Sequence, residues 1–326
     1  MKRHSLVLAC GFAAVVTAAS AQPQAPVPRI GFLSPNTPEA IAGSVAAFRE
    51  GLREQGLVEG VNVVVDYRYA NRRFGELPAL ARELVRLKPD VIVAQVTEAS
   101  LAARDATKSI PIVMVGVGDP VAVGLVANLS RPGGNVTGSS GMTIETAGKT
   151  VALLKEAAPG VARVGVLWNP ANATYQRQLL SEVDAAARQL AIETRLYSMA
   201  DADAIDRSFA AMAGDRVDGV VVLSDPAIVA FGGRIAALAL RARLPSVSGL
   251  TPFAEAGGML AYGPDFTALF RDAGGTVARI LRGTKPGDLA VVRPSRFELV
   301  VNARTAKALG VTIPSTLMLR ADRVIE

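Results

Sequence analysis

Polar side chains that could bind a small molecule follow nearly every β-rich run of the sequence. They are Ser, Thr, Asn, Asp and Glu, often beside a proline, which are residue types that contact ligands and also cap helices. The candidate binding residues are Ser34, Asn36, Thr97, Glu98, Asp119, Ser139, Asn169, Ser224, Asp225, Thr251 and Asp265, with Tyr175 and Tyr262 as aromatic walls. Helix capping explains each position alone, so a binding role requires that they face one common space.

These residue types suit a zwitterionic ligand such as an amino acid. A helix N-terminus offers free N–H groups and the positive end of the helix dipole, and both favour a carboxylate. Asp225 and Asp119 are both able to bind an ammonium group. We therefore predict that Thr97 and the N–H groups after it hold a carboxylate, and that Asp225 binds the amine. Glu98 complicates this prediction, because a second carboxylate in the same space would repel the ligand carboxylate and favour a cation-rich ligand.

Cysteine and histidine are confined to the start of the chain. The single Cys is Cys10 and the single His is His4. If that end is removed, disulfides, Cys nucleophiles, Ser-His-Asp triads and His-bound zinc or haem are all excluded. We expect no catalytic residues, no metal and no cofactor. An exported hydrolase or lyase that works with carboxylates alone stays as an alternative.

The N-terminus has the layout of a secretory signal peptide. Two basic residues precede an apolar run, Leu6–Ala19, and a small-residue cleavage site ends at Ala21, before a Pro-rich spacer over residues 22–28. The run is too short to span a bilayer, which takes ~20 residues, and Cys10 lies too early for a lipoprotein cysteine. We expect residues 1–21 to be removed and the protein to work in the periplasm.

Length and composition describe a globular protein of about two domains. The chain has 326 residues, of which 50% are hydrophobic and 20% charged, and its formal net charge is +6. The basic residues are scattered among acidic ones. They do not form a cluster of Lys and Arg with aromatic residues between them, as a nucleic-acid-binding surface would. We therefore expect no nucleic-acid partner.

Short β-rich runs alternate with helical segments along the whole body of the chain, which predicts an α/β protein with parallel sheets covered on both faces. The predicted helices include Ala40–Gln55, Leu77–Leu87 and Gln176–Leu190. The predicted strands are Ile30–Leu33, Val61–Tyr69, Val91–Gln95, Ile112–Gly116, Val136–Ser140, Val164–Trp168, Ile192–Ser198, Val220–Leu223, Ser246–Ser248 and Met259–Tyr262.

An internal similarity divides this α/β chain into two doubly wound lobes. The segment from Arg29 to Leu33 is similar to that from Arg163 to Leu167, and a Pro-Asp-Val-Ile-Val run at residues 89–93 is similar to residues 217–221, in the same order. Ligands of open parallel sheets bind at the carboxyl ends of the strands. Two facing lobes would therefore form a cleft that closes by a hinge motion.

Several stretches resemble the ABC transporter substrate-binding proteins typified by the tryptophan-binding lipoproteins of Gram-positive bacteria. The resemblance covers residues 29–314, nearly the whole exported chain. It is carried by Arg29–Leu33, Phe48–Gly56, Lys88–Ala94, Ile110–Val113, Gly118–Val121, Arg131–Gly138, Arg163–Leu167, Ile280–Gly283 and Phe297–Gly310.

This resemblance implies a type I periplasmic-binding fold in which the chain crosses between the lobes three times. The implied crossings lie near residues 141, 262–264 and 288–293, with the helix Phe266–Arg282 returning to the first lobe. The N-terminal lobe then comprises residues 29–140 plus 265–287, and the C-terminal lobe comprises residues 141–264 plus 288–326.

The resemblance also implies a monomeric receptor that captures a small polar, amino-acid-like solute for the permease and ATPase of an ABC importer. A receptor that signals to a histidine kinase or chemoreceptor is an alternative with the same architecture. Glu98 and Pro226 depart from the family pattern, since related proteins tend to have an uncharged residue and Asn at these positions. These departures leave the fold intact and the identity of the ligand open.

The signal-peptide layout predicts the first residue of the mature protein. Cleavage after Ala21 should give a periplasmic protein that begins at or within two residues of Gln22, because signal peptidase cuts after small residues. N-terminal sequencing of the protein from a periplasmic extract measures this directly, and an intact Met1 in that fraction would contradict it.

Overall fold

The computed structural model describes residues 27–326. The predicted signal peptide, its Cys10 and His4, and most of the spacer lie outside the described residues. Within the described part, no helix is both long and apolar enough to cross a membrane.

The first sheet has five parallel strands in the order β2-β1-β3-β4-β5. Its strands are β1 (Arg29–Ser34), β2 (Val64–Tyr69), β3 (Val91–Gln95), β4 (Ile112–Val117) and β5 (Val136–Ser140). The helices between them are α1 (Ala42–Arg53), α2 (Leu77–Arg86) and α3 (Val96–Ala106). Separate apolar clusters cover the two faces of the sheet, so β3 and β4 are buried throughout.

The second sheet has seven strands in the order β12-β11-β10-β9-β8-β6-β7. Its strands are β6 (Arg163–Trp168), β7 (Glu193–Ser198), β8 (Gly219–Val222), β9 (Ser246–Ser248), β10 (Leu260–Pro264), β11 (Phe297–Asn302) and β12 (Arg323–Ile325). Five of these strands repeat the order of the first sheet, with β6 and β7 in place of β1 and β2. The α/β fold with two parallel-dominated sheets is therefore confirmed.

Eight further helices follow β5 along the chain. They are α4 (Thr143–Ala157), α5 (Ala173–Gln189), α6 (Ala202–Gly214), α7 (Ala227–Arg241), α8 (Pro252–Glu255), α9 (Phe266–Leu281), α10 (Ala303–Leu309) and α11 (Ser315–Arg320). All except α9 lie in the part of the chain that forms the second sheet.

The strand predictions were wrong in three details. Strands β11 and β12 are both absent from the predicted strands, and the three residues of β12 are too few to show a period. Strand β11 also pairs with β10 in the antiparallel direction. Strand β2 begins at Val64, since the predicted start at Val61 lies in a turn in which the N–H of Val61 donates to the carbonyl of Val58.

Helix α9 returns from the second sheet to the first, where it crosses α1 at very close range. Its apolar side chains belong to the same cluster as those of β1 and α1. A Cβ atom added to Gly274 would lie 2.5 Å from the carbonyl carbon of Gly51, so the two backbones touch. This packing supports our proposal that the N-terminal lobe comprises residues 29–140 plus 265–287, and the C-terminal lobe residues 141–264 plus 288–326.

The last connection between the sheets runs along the edge of β5. The N–H of Val292 donates to the carbonyl of Gly138, and the N–H of Ser140 donates to the carbonyl of Val292. The Thr137 hydroxyl donates to the carbonyl of Leu289 at 2.7 Å. The connecting segments are therefore held against one another beside the cleft described below.

The contact between α1 and α9 predicts opposite effects for two adjacent substitutions. Gly274→Ala should lower the free energy of unfolding by about 1–3 kcal/mol, because the new methyl group meets backbone atoms of α1. Gly275→Ala is the control, since nothing lies within 4 Å of its Cβ position. It should raise the free energy of unfolding by up to ~1 kcal/mol through helix propensity. Urea unfolding of both variants measures the difference, and equal effects would contradict the close crossing.

Candidate ligand-binding cleft

A cleft of about 370 Å³ lies between the two sheets, at the ends of strands from both. The first lobe contributes residues that follow β1 and β3, and the second contributes residues that follow β8 and β9. Helices α5 and α9 begin at its wall. The residues that line it include Asn36, Ile41, Gln95, Val96, Thr97, Glu98, Asn172, Tyr175, Ser224, Asp225, Leu250, Thr251, Asp265, Phe266 and Phe270.

The first-lobe wall is formed by a strained turn between β3 and α3. Val96 has a φ of +58°, in the left-handed region that β-branched residues rarely adopt. The turn lets α3 begin directly after Gln95, so that its first residues line the cleft. The neighbouring Thr97 is buried, and its hydroxyl oxygen accepts the N–H of Gly118 at 3.4 Å. Backbone strain of this kind is found where a binding site needs an unusual geometry.

Glu98 is partly buried in this wall, and its pKa is raised to about 7. The largest cause is burial, which disfavours the charged form, and the negative charge of Asp225 adds to it. A hydrogen bond from the N–H of Glu98 itself to its carboxylate opposes the rise. The first turn of α3 therefore already contains a carboxylate of this chain.

Asp225 forms the centre of the opposite wall and is only 1% exposed. Its Oδ1 accepts from the side-chain amide of Asn169 at 3.0 Å and from the N–H of Ala227 at 2.8 Å. Its Oδ2 accepts from the side-chain amides of Asn172 at 2.9 Å and Gln176 at 3.3 Å. Burial raises the pKa of Asp225, although these hydrogen bonds work against the rise. All four donors are uncharged.

Two amide oxygens at the cleft have no hydrogen-bond partner among the described residues, namely Asn36 Oδ1 and Asn172 Oδ1. Asn36 is 2% exposed and Asn172 is 3% exposed. The orientation of each amide follows from its neighbours, because the NH₂ of Asn172 donates to Asp225 and the NH₂ of Asn36 donates to Gln95 Oε1 at 3.4 Å. Both oxygens are therefore acceptors that only a ligand or water can satisfy.

Aromatic side chains form the apolar part of the lining. Tyr175 is buried, and its hydroxyl shares a 2.7 Å hydrogen bond with the hydroxyl of Thr143. A Cβ on Gly118 would lie 2.7 Å from the Tyr175 ring, and a Cβ on Gly116 would lie 2.5 Å from the Phe266 ring. Glycines at these two positions therefore let both rings approach the first sheet.

The structure brings eight of the thirteen predicted site residues to the cleft. They are Asn36, Thr97, Glu98, Tyr175, Ser224, Asp225, Thr251 and Asp265. The predicted acceptor for an ammonium, Asp225, has its carboxylate oxygens filled by protein donors. We therefore revise the predicted role of Asp225. Instead of contacting the ligand directly, it is a buried carboxylate that accepts a hydrogen bond from the lining residue Asn172.

The other five predicted residues lie outside the lining, and each has a hydrogen-bond partner elsewhere. The hydroxyl of Ser34 donates to Gln95 Oε1 at 2.5 Å, and that of Ser139 accepts the N–H of Gly116. Asp119 caps the N–H groups of the next turn. Asn169 holds Asp225 in place from behind. The Tyr262 hydroxyl accepts from Lys149 Nζ at 2.7 Å, and its ring stacks on Phe297.

Sequence reasoning missed Gln95, Asn172 and Phe266 as lining residues. Asn172 is the second Asn of the loop in which Asn169 was identified, so the loop was found but the residue that reaches the cleft was not. Gln95 is the last residue of β3, where a polar side chain in an apolar run is the detectable signal. Nothing in the local sequence marks Phe266 as a cleft residue rather than a core residue.

Three further charged side chains belong to the lining of the cleft. Arg323 of β12 pairs with Glu255 at 2.8 Å and lies 4.0 Å from Glu298. In the described part of the chain, no group of three or more His, Cys, Asp and Glu side chains is placed to hold a metal ion.

Two doubly wound lobes with a cleft at the facing strand ends define the class of type I periplasmic solute-binding proteins. The chain belongs to the ABC transporter substrate-binding protein family, whose model matches residues 32–325. Members of this family bind a solute for an ABC transporter and are not enzymes.

Curated and solved relatives share most of the chain. A tyrosine-binding protein of Clostridioides difficile strain R20291 is 29% identical over 263 residues, which are 80% of this chain and 75% of the relative. A conserved domain protein of Vibrio cholerae O1 biovar El Tor has a TM-score of 0.82 at 29% identity, covering 91% of this chain and 99% of the other. A domain from Streptococcus pneumoniae in complex with L-Trp has a TM-score of 0.82 at 26% identity, with the same coverage.

A third solved relative was determined in a different state. A ligand-free, open substrate-binding protein with adhesive properties from Clostridium difficile has a TM-score of 0.67 at 25% identity, covering 92% of this chain and 99% of the other. At nearly the same identity, this chain is thus more similar in shape to the L-Trp complex than to the open protein.

The raised pKa of Glu98 predicts how the stability of the ligand-free protein depends on pH. A carboxyl whose pKa rises from 4.5 in the unfolded chain to about 7 in the folded one binds its proton more tightly when folded. The free energy of unfolding should therefore fall as the pH rises from about 4.5 to about 7, by up to ~3 kcal/mol from this group. Thermal unfolding from pH 5 to pH 8 should show a smaller fall in Glu98→Gln than in the wild type.

The matched control is Glu182→Gln, which removes an exposed carboxylate on α5 that does not line the cleft. This variant should keep the pH profile of the wild type. Identical profiles for all three proteins would contradict the raised pKa of Glu98.

Proposed function

We propose that the protein is the periplasmic receptor of an ABC importer and that it closes its two lobes around one small, amine-bearing, amino-acid-like solute. The observation that carries the proposal is the position of the cleft, which is lined from both lobes. A solute bound there contacts both lobes at once and so stabilises their closed arrangement. The volume of the cleft, about 370 Å³, is within the range for a single small ligand.

The relatives support an amino-acid-like solute. The curated relative is named for tyrosine binding, and the Streptococcus pneumoniae structure contains L-Trp. Aromatic rings and polar groups occur together in the cleft of this chain, which is the mixture that an amine on an apolar body requires. The greater similarity to the L-Trp complex than to the open protein supports a closed arrangement of the lobes.

Family membership also supports the proposed partners and location. Substrate-binding proteins of ABC transporters work with a permease and an ATPase, and they act outside the cytoplasm. The signal-peptide layout of residues 1–21 is consistent with export to the periplasm. We propose that the receptor is a monomer, because one copy of the chain supplies both walls of the cleft.

The unpartnered oxygen of Asn36 predicts a loss of affinity for the solute. Solute that is released from the purified protein and identified by mass spectrometry is the ligand for the measurement. By calorimetry, Asn36→Ala should weaken its binding by about 1–3 kcal/mol, because a donor of the bound solute loses its acceptor. The same solute should lower the radius of gyration of the wild type in solution scattering, since the lobes close on it.

Gln178→Ala is the matched control for this measurement. Gln178 also has a buried side-chain oxygen without a partner among the described residues, but it does not line the cleft. Its removal should leave the affinity unchanged. Equal losses in the two variants, or scattering curves that do not change with saturating solute, would contradict capture in this cleft.

A further inference from the structure

We propose that the solute has a net positive charge and that its cationic group lies between Asn36, Asn172 and Glu98. An ammonium or a guanidinium group meets this description, whereas a neutral zwitterion with its carboxylate at the start of α3 does not. The inference rests on the proposed function, since it concerns the solute of the same cleft. Three separate observations support it.

The first observation is that three helices begin at the cleft with a carboxylate of this chain in or next to the first turn. Glu98 is the acidic residue in the first turn of α3. Asp225 accepts the N–H of Ala227 at the start of α7, and Asp265 accepts the N–H of Ala268 at the start of α9. A helix N-terminus attracts an anion through its free N–H groups and its dipole. At these three helices the protein supplies that anion itself.

Helix α5 is different, because it has neither an acidic residue in its first turn nor a side-chain cap. The amide of Asn172, at its start, is turned toward Asp225 instead. A solute carboxylate placed there would face the buried negative charge of Asp225. This position is therefore also unfavourable for an anion.

The second observation is that the buried negative charge of the cleft has no cation of the protein beside it. Asp225 is held by uncharged donors alone, and no Lys or Arg side chain among residues 27–326 lowers the pKa of Asp225 or Glu98. The basic residue in the lining, Arg323, pairs with Glu255 instead. A buried charge without a counter-ion is costly, and a cationic solute would supply the missing partner.

The third observation is independent of charge. Asn36 Oδ1 and Asn172 Oδ1 are buried acceptors without a partner in the described part of the chain, and both residues line the cleft. Their NH₂ groups are already directed at Gln95 and Asp225, so the oxygens cannot be exchanged for donors. A solute must therefore bring hydrogen-bond donors to this end of the cleft. An ammonium has three donors and a guanidinium five, and neither has an acceptor there.

These observations together distinguish a cation from other donors. A sugar or polyol would satisfy the two amide oxygens, but it would leave Asp225 and Glu98 without a counter-ion. A zwitterion would bring one ammonium group, but it would also place its own carboxylate near those of Asp225 and Glu98. Only a solute with excess positive charge satisfies the acceptors and offsets the carboxylates at the same time.

The test uses pairs of compounds that differ by one positive charge and little in shape. The pairs are L-arginine with L-citrulline, tyramine with L-tyrosine, and tryptamine with L-tryptophan, measured by thermal shift and then by calorimetry on the full exported chain. We expect the tightest binder of the panel to be cationic and to bind at least tenfold more tightly than its neutral partner. The solute that copurifies with the protein should also be cationic.

The variant Glu98→Gln tests whether the preference comes from this site. Its amide keeps the size of the side chain and removes the charge, so the advantage of the cationic member should fall at least tenfold. Glu182→Gln, which removes an exposed carboxylate outside the lining, should keep the wild-type preference. The melting temperatures without ligand show whether each variant is folded.

The possible outcomes separate the charge inference from the proposed function. If a neutral or zwitterionic compound binds most tightly and closes the lobes, the charge inference is overturned and the receptor function stands. A cationic preference that is unchanged in Glu98→Gln also overturns the proposed position of the cation. If no compound binds and no solute copurifies, the proposed function is overturned together with the inference.

Discussion

The buried carboxylate of Asp225 is the interaction on which the cleft depends. It joins the loop after β6, through Asn169 and Asn172, to the start of α7, through the N–H of Ala227. Strands β6 and β8 are neighbours in the sheet, so one side chain holds together two adjacent strand ends. Replacing any of its four uncharged donors would leave a buried charge less well solvated, which is why this wall is expected to be rigid.

The first-lobe wall depends on backbone geometry instead. Val96 in the left-handed region and Gly116 at a φ of +70° shape the ends of β3 and β4. A side chain on Gly116 would collide with the Phe266 ring, so the glycine is required by the close approach as well as by its φ. The strain is held in place by a sheet whose central strands are completely buried.

The fold and the ligand preference are therefore separate properties of this chain. The two sheets have the order of doubly wound proteins and place strand ends on both sides of a cleft. The charges inside the cleft are carried by a few side chains on loops and first helical turns. Such side chains can change without affecting the apolar clusters that stabilise the lobes.

The sequence by itself determined the α/β class, the two-lobe organisation and the loops that form the cleft, because apolar periodicity and helix-capping residues act over a few positions. Tertiary structure alone decided which residue of each loop faces the solute. In one loop, Asn169 lies behind Asp225 while Asn172 lines the cleft, and Asp225 itself has its oxygens filled by protein donors. The antiparallel direction of β11 was also decided by the tertiary structure, since strand direction depends on how distant segments pair. Hydrogen-bond saturation and burial arise from contacts between residues far apart in the chain, and no local pattern encodes them.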